Sequence, residues 1–438
     1  MQKDAQWVRS NKKGFQNENL PTYLMILAVL IAMAWANSPW KASYHQLWQI
    51  VIPFQLLNLQ AQETLHHWVN DGLMAVFFFL IGLEMKREIL AGELSSFKKA
   101  RLPIFCAVGG MLVPALIFYL FNKGLDTQQA WAIPMATDIA FALAILKALK
   151  NRIPAALIVL LTAMAVIDDL GGILVIALYF TKALDWSALF SGLFFIGVIV
   201  VFNRLKIRKP WLYLLLGVLG VWLAFLHSGV HATIVGILIA MATPLQSDID
   251  DQTYLHRLTQ LSDRFEKTCT ARAGHLITST EQIEIVEEIR EISIAAESPL
   301  QRLEHNVAPF VNYFVLPLFA LSNAGVEIKI DSLAGIVSPL GAGIGLGLIL
   351  GKFIGVAGTA FLVVALKWAE LPRQVNRLHL IGIGLLAGIG FTMSIFITEL
   401  SLADLQQKST AKLTILIALV ISALLGYWTL RQSRPVPG

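Results

Sequence analysis

The chain has 438 residues, of which 56% are hydrophobic and only 14% are charged, and its formal net charge is +5. This composition excludes an ordinary soluble domain, in which a charged surface would interrupt the apolar segments. Apolar runs of about 18 residues or more indicate helices that cross a membrane, and such runs recur along the sequence. We therefore predict an all-α polytopic membrane protein.

About twelve runs are long and apolar enough to span a bilayer. They cover roughly residues 20–37, 67–91, 102–121, 130–149, 154–180, 186–203, 211–227, 229–245, 307–325, 340–366, 378–398 and 412–430. The first run follows Lys12 and Lys13 and contains "AWA" near its end, as a secretory signal peptide would. We favour a first transmembrane span, because about 17 apolar residues are long for a signal peptide.

The basic residues between the spans predict the orientation, since lysine and arginine concentrate in cytoplasmic connections. Clusters occur at alternate ends of the spans: Lys3, Arg9, Lys12 and Lys13; Lys98, Lys99 and Arg101; Lys147, Lys150 and Arg152; Arg204, Lys206, Arg208 and Lys209. The opposite connections carry about one cation each: Lys41, Lys123, Lys182 and Lys329. Both termini are therefore predicted to be cytoplasmic. The last external loop, with Lys408 and Lys412, fits this rule least well.

Two polar segments interrupt the spans. The segment near 45–60, "HQLWQIVIPFQLLNLQ", predicts a short external strand pair from its β-branched and aromatic content around Pro53. Residues 246–303 form a cytoplasmic loop between the membrane segments 1–245 and 304–438. In this loop Ile283, Val286, Ile289 and Ile292 recur at helical spacing and predict an amphipathic helix, either a partner surface or a solvated hairpin.

The basic balance does not indicate nucleic-acid binding, because the cations flank membrane spans. Cys106 and Cys269 are too few for a disulfide framework, and no Cys/His cluster has the spacing of a metal site. We predict no cofactor.

Ionisable groups inside the spans indicate function, because an intramembrane charge needs a partner or a water-filled cavity. Asp168 and Asp169 lie in "LTAMAVIDDLGG", Asp138 lies in span four and Lys352 lies in span ten. Adjacent residues of a helix point about 100° apart, so the two aspartates face different ways. We infer that one faces an aqueous cavity and that the other pairs with Lys352.

Span two carries further charges near its two ends. Asp71, near the outer end, either caps the helix or has a role in ion access. Glu84, Arg87 and Glu88 have helical i, i+3 and i+4 spacing near the cytoplasmic end. They form either an exposed ion-pair cluster or a pH-responsive gating network.

Two spans contain residues that weaken a helix at similar depth. Span four reads "WAIPMATDIAFALA", with Pro134 before Thr137 and Asp138. Span eleven reads "GIGLLAGIGFTMSIF", in which Gly388, Gly390 and Thr392 weaken the helix. We predict two discontinuous helices that cross near mid-membrane within inverted repeats, spans three to five against ten to twelve. A glycine row in span ten predicts close approach of another helix: Gly343, Gly347, Gly351 and Gly355.

Several segments together resemble the NhaA-type bacterial sodium/proton antiporters, a family that is itself an example of inverted repeats with broken helices. They are "AVFFFLIGLEMKRE", "MATDIAFALA", "TAMAVIDDLGG", "SGVHATIVG", "RLEH", "LPLFALSNAGV" and "LAGIGFTMSIF". The resemblance implies a multi-pass protein of the bacterial inner membrane that is not an enzyme. It implies electrogenic, pH-regulated exchange of cytoplasmic Na+ or Li+ for external H+ by alternating access.

The resemblance also implies residue roles. Asp169 would be the principal cation and proton carrier, with Asp168 beside it and paired to Lys352. Thr137 and Asp138 would lie where spans four and eleven cross, with Asp138 compensating positive helix ends and Lys352 negative ones. A cytoplasmic funnel and pH response would involve Glu84, Arg87, Glu88, Glu304, His305 and His231, and Asp71 would lie near the outer side. The strand pair would be a homodimer contact or simply a loop, and membrane lipid would surround the spans.

The sequence departs from the family pattern in two places, and two alternative functions stay open. The loop before "RLEH" is longer than in the best-known members by several tens of residues, and Ala308 stands where related sequences can carry a further histidine. Asp138 and Asp169 could serve an intramembrane aspartic protease, but the sequence has no "GxGD" element. Among transporters, paired carboxylates disfavour an anion, whereas charges alone do not separate Na+ from K+.

Overall fold

The computed structural model describes residues 19–56, 59–149, 152–181, 184–205, 210–231, 233–270, 279–372 and 374–434. Predictions for nine flanking cations lie outside these residues: Lys3, Arg9, Lys12, Lys13, Lys150, Lys182, Lys206, Arg208 and Lys209. The described part is almost entirely helical, apart from one strand pair. This agrees with the predicted all-α membrane protein.

The helices follow one another in chain order, and several contain a π-helical segment between α-helical parts. The first half of the chain has α1 (Leu20–Ala36), α2 (Lys41–Gln49), α3 (Leu65–His67, Trp68–Leu73 and Met74–Leu90), α4 (Phe97–Asn122), α5 (Ile139–Ala148), α6 (Ala155–Tyr179), α7 (Trp186–Arg204), α8 (Pro210–Leu215, Leu216–Trp222 and Leu223–Ser228) and α9 (Ile234–Ala242). Short 3₁₀ segments occupy Glu93–Ser95, Asp126–Ala130 and Ile133–Met135.

The second half begins with two helices of the polar loop and continues with apolar helices. It has α10 (Asp251–Thr270), α11 (Thr280–Ala296), α12 (Pro299–Phe310, Val311–Val315 and Leu316–Asn323), α13 (Ile330–Gly335), α14 (Pro339–Leu346, Gly347–Gly351, Ile354–Gly358 and Thr359–Ala365), α15 (Arg377–Leu386), α16 (Phe391–Ser401) and α17 (Leu405–Arg431).

Seven helical segments of the described residues are long and apolar enough to cross a membrane, or eight if the bent pair α1 and α2 is one span. The seven are Phe97–Asn122, Asp126–Ala148, Ala155–Tyr179, Trp186–Arg204, Pro339–Ala365, Arg377–Ser401 and Leu405–Arg431. The other predicted spans fall on α1, α3, α8, α9 and α12. The count of twelve stays a prediction.

The glycine row of α14 packs against α4, as the sequence predicts. A Cβ atom on Gly355 would lie 2.2 Å from the carbonyl oxygen of Gly109, and one on Gly351 would lie 2.8 Å from Cα of Pro114. No side chain fits at these positions without moving the backbone of α4. The opposite face of α4 exposes Leu112 and Leu116, as expected for a surface in contact with lipid.

The short segments between helices bring α5, α15 and α16 together inside the bundle. Residues 136–138 are not helical and precede α5, and residues 387–390 separate α15 from α16. The Asp138 amide donates to the carbonyl of Ile389 at 2.5 Å. Gly390 allows this approach, because its Cβ would lie 2.9 Å from the carbonyl oxygen of Ala136.

The strand pair lies slightly later than its sequence pattern indicates. Strands β1 (Val51–Leu56) and β2 (Leu59–Thr64) are antiparallel, with Val51 opposite Thr64. The residues from His45 to Gln49 belong to α2 instead. Tyr44 and Trp48, four residues apart, are both buried on one face of α2, which explains why this part is helical.

The polar loop folds into a hairpin of α10 and α11. Helix α11 agrees with the predicted amphipathic helix, and the predicted stripe is right in part: Ile292 is buried and Ile289 packs against the same cluster. Ile283 and Val286 are exposed instead, and Ile285 is buried in their place. Ile285 and Ile283 both have helical spacing to the later isoleucines, so the sequence pattern alone left the first turn of the buried face open.

Candidate ion-binding site

The centre of the bundle contains a buried ion pair between α6 and α14. Lys352 Nζ lies 2.7 Å from Oδ2 of Asp168, and neither side chain is exposed to solvent. The Thr137 hydroxyl lies 2.8 Å from the same oxygen and 3.0 Å from the Ala387 carbonyl, two acceptors that it can serve in turn. The contact inferred from sequence between an aspartate of span five and Lys352 is therefore present, and it involves Asp168.

Asp138 is stabilised by two helix N-termini at once. Its Oδ1 accepts from the amides of Ala140 (3.1 Å) and Phe141 (3.5 Å), at the start of α5. Its Oδ2 accepts from the amide (3.1 Å) and hydroxyl (2.7 Å) of Thr392, at the start of α16. The positive ends of two helix dipoles thus face one carboxylate. Lys352 was expected to compensate negative helix ends. Among the described contacts its partner is Asp168, and none of them joins Lys352 to a carbonyl at a helix end.

Asp169 differs from the other two buried carboxylates. It is only 4% exposed, and within the described residues its Oδ1 has no hydrogen-bond partner. Oδ1 of Asp168 is also without a partner there. Buried carboxylate oxygens need hydrogen bonds or a cation, since an isolated buried charge is very unfavourable. These two oxygens are therefore free to bind a proton or a small hard cation, which prefers oxygen ligands.

Comparison with known proteins agrees with this chemistry. The family model described as Na+/H+ antiporter 1 matches residues 12–430. The chain belongs to the Na+/H+ antiporter 1 family.

The curated relatives cover nearly the whole chain. A Na+/H+ antiporter NhaA of Acidithiobacillus ferrooxidans is 43% identical over 413 residues, 94% of each chain. One of Oleidesulfovibrio alaskensis is 43% identical over 96% of this chain and 93% of its own. Antiporter NhaA 1 of Clostridium beijerinckii is 39% identical over 94% of this chain and 92% of its own.

A second charged group of this Na+/H+ antiporter 1 family member lies where α3 and α12 meet. Arg87 contacts Glu304 at 2.5 Å and Glu88 at 3.3 Å. Glu84, half-buried one turn deeper in α3, lies within electrostatic range of both Glu304 and Asp169. His305 is exposed next to Glu304.

Glu304 lies just before the apolar part of α12, and burial raises the pKa of its carboxyl although Arg87 opposes the rise. The structure therefore assembles four of the predicted funnel residues into one cluster: Glu84, Arg87, Glu88 and Glu304.

His231 does not join that cluster. Its Nε2 lies 3.7 Å from Asp71 Oδ1, at the other end of α3, and its Nδ1 lies 3.0 Å from the Thr233 hydroxyl. His67 Nε2 approaches the second oxygen of Asp71 at 3.0 Å. Asp71 thus lies between two histidines. Neither of the two roles considered for it from the sequence, helix capping and ion access, predicts this arrangement.

Sequence reasoning missed one polar residue of the site and two that lie farther from it. Thr392 was noted only as a residue that weakens span eleven, although it donates twice to Asp138. His67 was overlooked, although its i, i+4 spacing to Asp71 is a usable signal. Glu399 lies one residue beyond the predicted end of span eleven at residue 398, yet it contacts Lys408 and Lys412.

Proposed function

We propose that this chain is a secondary active transporter that exchanges cytoplasmic Na+ or Li+ for external protons by alternating access. One observation carries the proposal. Of three buried carboxylates, Asp168 is neutralised by Lys352 and Asp138 by two helix ends, whereas Asp169 Oδ1 has no partner among the described residues. A proton or a hard cation is the missing partner at Asp169.

The exchange follows from competition for the same oxygens. With the site open to the cytoplasm, Na+ binds between Asp169 and Asp168, whose Oδ1 atoms are both unpartnered among the described residues. With the site open to the outside, where protons are more concentrated, protonation of Asp169 removes the negative charge that holds Na+. The protonated site returns and releases its proton inside. Each ion thus crosses only when the other has left.

The residues around Asp169 have supporting roles in this proposal. Lys352 keeps Asp168 ionised beside the ion, and loss of that contact lets Asp168 or Lys352 supply a second proton. Two protons per Na+ make the exchange electrogenic. Thr137 and Asp138 hold the crossing of α5, α15 and α16. The Arg87 cluster, with Glu84, Glu88, Glu304 and His305, forms a pH-sensitive cytoplasmic funnel, and Asp71 with His231 lines the outer side.

The proposed membrane arrangement extends the seven segments of sufficient length to twelve spans, with interrupted spans four and eleven in inverted repeats. Both termini are cytoplasmic and the protein lies in the bacterial inner membrane. The strand pair β1 and β2 provides a homodimer contact. Lys408 and Lys412, the external lysines that fit the charge rule least well, are both paired with Glu399. The carboxylate offsets part of their positive charge, which supports this orientation.

The test is cation-induced collapse of a preformed pH gradient in everted membrane vesicles, with Na+, Li+ and K+ added in turn between about pH 6.5 and 8.5. We expect Na+ and Li+ to collapse the gradient in the wild type. Asp169→Asn should abolish the collapse, whereas the exposed control Asp126→Asn should retain it. Collapse by K+ alone would change the substrate, and full activity of Asp169→Asn would refute the mechanism.

A further inference from the structure

A partly buried polar cluster lies at the end of α16 remote from the candidate site. Glu399, whose side chain is 12% exposed, lies 2.6 Å from Lys412 Nζ and 2.7 Å from Lys408 Nζ. Both lysines belong to the first turns of α17. The carboxylate is thus shared by two cations and ties the last turn of α16 to the following helix. We call Glu399, Lys408 and Lys412, with His66, Asn70 and Asn323, the Glu399 cluster.

The remaining members of the Glu399 cluster connect it to α3 and α12. His66 Nε2 lies 3.8 Å from the Glu399 carboxylate and accepts from the Asn70 amide at 3.0 Å. The Asn323 side-chain amide donates to Oδ1 of Asn70 at 2.7 Å. Its own oxygen lies 3.5 Å from Lys412 Nζ. The ends of four helices are therefore joined by one polar network.

Helix α16 connects this network to the ion-binding site. It has 11 residues, about 15 Å at 1.5 Å per residue. At its first turn Thr392 donates to Asp138, and at its last turn Glu399 binds α17. A short rigid helix transmits a displacement at one end to the other. The contacts of Glu399 at one end of α16 therefore restrict how far residues 387–390 at the other end can move.

We propose that Glu399 is a positioning residue for transport, which holds the outer ends of α3, α12, α16 and α17 together and so closes the outer side of the pathway. Opening to the outside then requires that Glu399 separate from Lys412 and Lys408. The neutral amide that Glu399→Gln introduces cannot attract either lysine as a carboxylate does, so the closed arrangement loses stability relative to the open one. This proposal rests on the exchange and the orientation proposed above.

The chain offers a matched control carboxylate. Glu327 lies near the same end of the bundle and also contacts two lysines and a histidine: Lys41 (3.2 Å), Lys329 (3.2 Å) and His45 (3.0 Å). These contacts join loop residues to α2 and involve neither α16 nor α17. Glu327→Gln therefore makes the same chemical change without affecting the proposed gate.

The test measures the apparent KM for Na+ from both sides of the membrane, in everted and in right-side-out vesicles. A fall in the cytoplasm-facing population weakens apparent affinity on that side in proportion. For Glu399→Gln we expect the cytoplasmic KM to rise about threefold to tenfold and the external KM to fall. Glu327→Gln should leave both values unchanged. Shifts in the same direction on both sides, or equal effects of the two variants, would overturn the proposal.

A second measurement does not depend on transport. Amide hydrogen exchange across 391–401 should accelerate in Glu399→Gln and not in Glu327→Gln, because only the first change releases the end of α16. Unchanged exchange would overturn the proposal. If Glu399→Gln does not accumulate, Lys408→Gln takes its place, since it keeps the contact of Glu399 with Lys412. It should also raise the cytoplasmic KM and lower the external KM, each by a smaller factor than Glu399→Gln.

A wild type active in both vesicle orientations establishes the transport of Na+ itself. If the two KM values are then unaltered in Glu399→Gln, the gate is refuted and the transport stands. An inactive wild type refutes the transport function and with it the gate, and faster amide exchange across 391–401 in the variant then shows only that Glu399 holds the end of α16.

Discussion

Breaking the buried pair of Asp168 and Lys352 on one side only should destabilise the protein more than removing both charges. Asp168→Asn leaves an unpaired ammonium, and Lys352→Met leaves an unpaired carboxylate, at a place where neither side chain contacts solvent. Each single change is expected to cost about 3–5 kcal/mol, whereas replacement of both partners is often close to neutral. The interaction free energy should therefore be about 3 kcal/mol or more.

The assay is a double-mutant cycle on purified protein in detergent, with the thermal unfolding midpoint as the readout. Both single variants should lose several degrees and the double variant should recover most of the loss. The exposed pair Lys41 and Glu327 is the control, and its cycle should give less than about 1 kcal/mol. Additive effects of Asp168→Asn and Lys352→Met would refute the assignment of a direct, buried pair.

Three further predictions concern the packing and the charged clusters. Thr392→Val removes one hydroxyl donor of Asp138 and should cost about 1–2 kcal/mol, while Thr429→Val, whose exposed hydroxyl bonds only within α17, should have little effect on the melting temperature. Gly355→Ala should lower the yield of folded protein, because its Cβ would meet the Gly109 carbonyl at 2.2 Å, whereas at Gly358 the nearest atom is 3.8 Å away and Gly358→Ala should be tolerated. Burial raises the pKa of the Glu304 carboxyl, against the effect of Arg87. The carboxylate and its pair with Arg87 therefore form at higher pH than in an exposed glutamate. Glu304→Gln cannot ionise at any pH and should therefore remove from the pH profile of transport the step that ionisation of Glu304 produces, and a profile unchanged from the wild type, as expected for the exposed control Glu297→Gln, would exclude Glu304 from pH regulation.

The sequence was sufficient for the helical architecture and for part of the site. Long apolar runs predict membrane helices because a lipid environment leaves few other structures possible. The contact of Asp168 with Lys352 could be inferred because a charge inside a span needs a partner and few candidates exist. The close packing at Gly351 and Gly355 followed from the regular spacing of residues without side chains.

Other features depend on contacts that no local pattern contains. Asp138 binds Thr392 across 254 positions of the chain, and only the folded chain brings the first turns of α5 and α16 to one carboxylate. The buried face of α11 is decided by α10, since Ile283 and Ile285 both belong to helical stripes. Glu399 lies one residue beyond the predicted end of its span, where boundaries drawn from hydropathy are least certain.

In the proposed exchange Na+ and protons compete for Asp169, and direct binding tests this competition without transport. Binding of radioactive Na+ to the purified protein should weaken as the pH falls from about 8.5 to 6.5, approaching a tenfold loss of apparent affinity for each pH unit where one proton competes. Asp169→Asn should abolish the binding, while Asp126→Asn should match the wild type. Binding that does not depend on pH, or that survives in Asp169→Asn, would contradict the account.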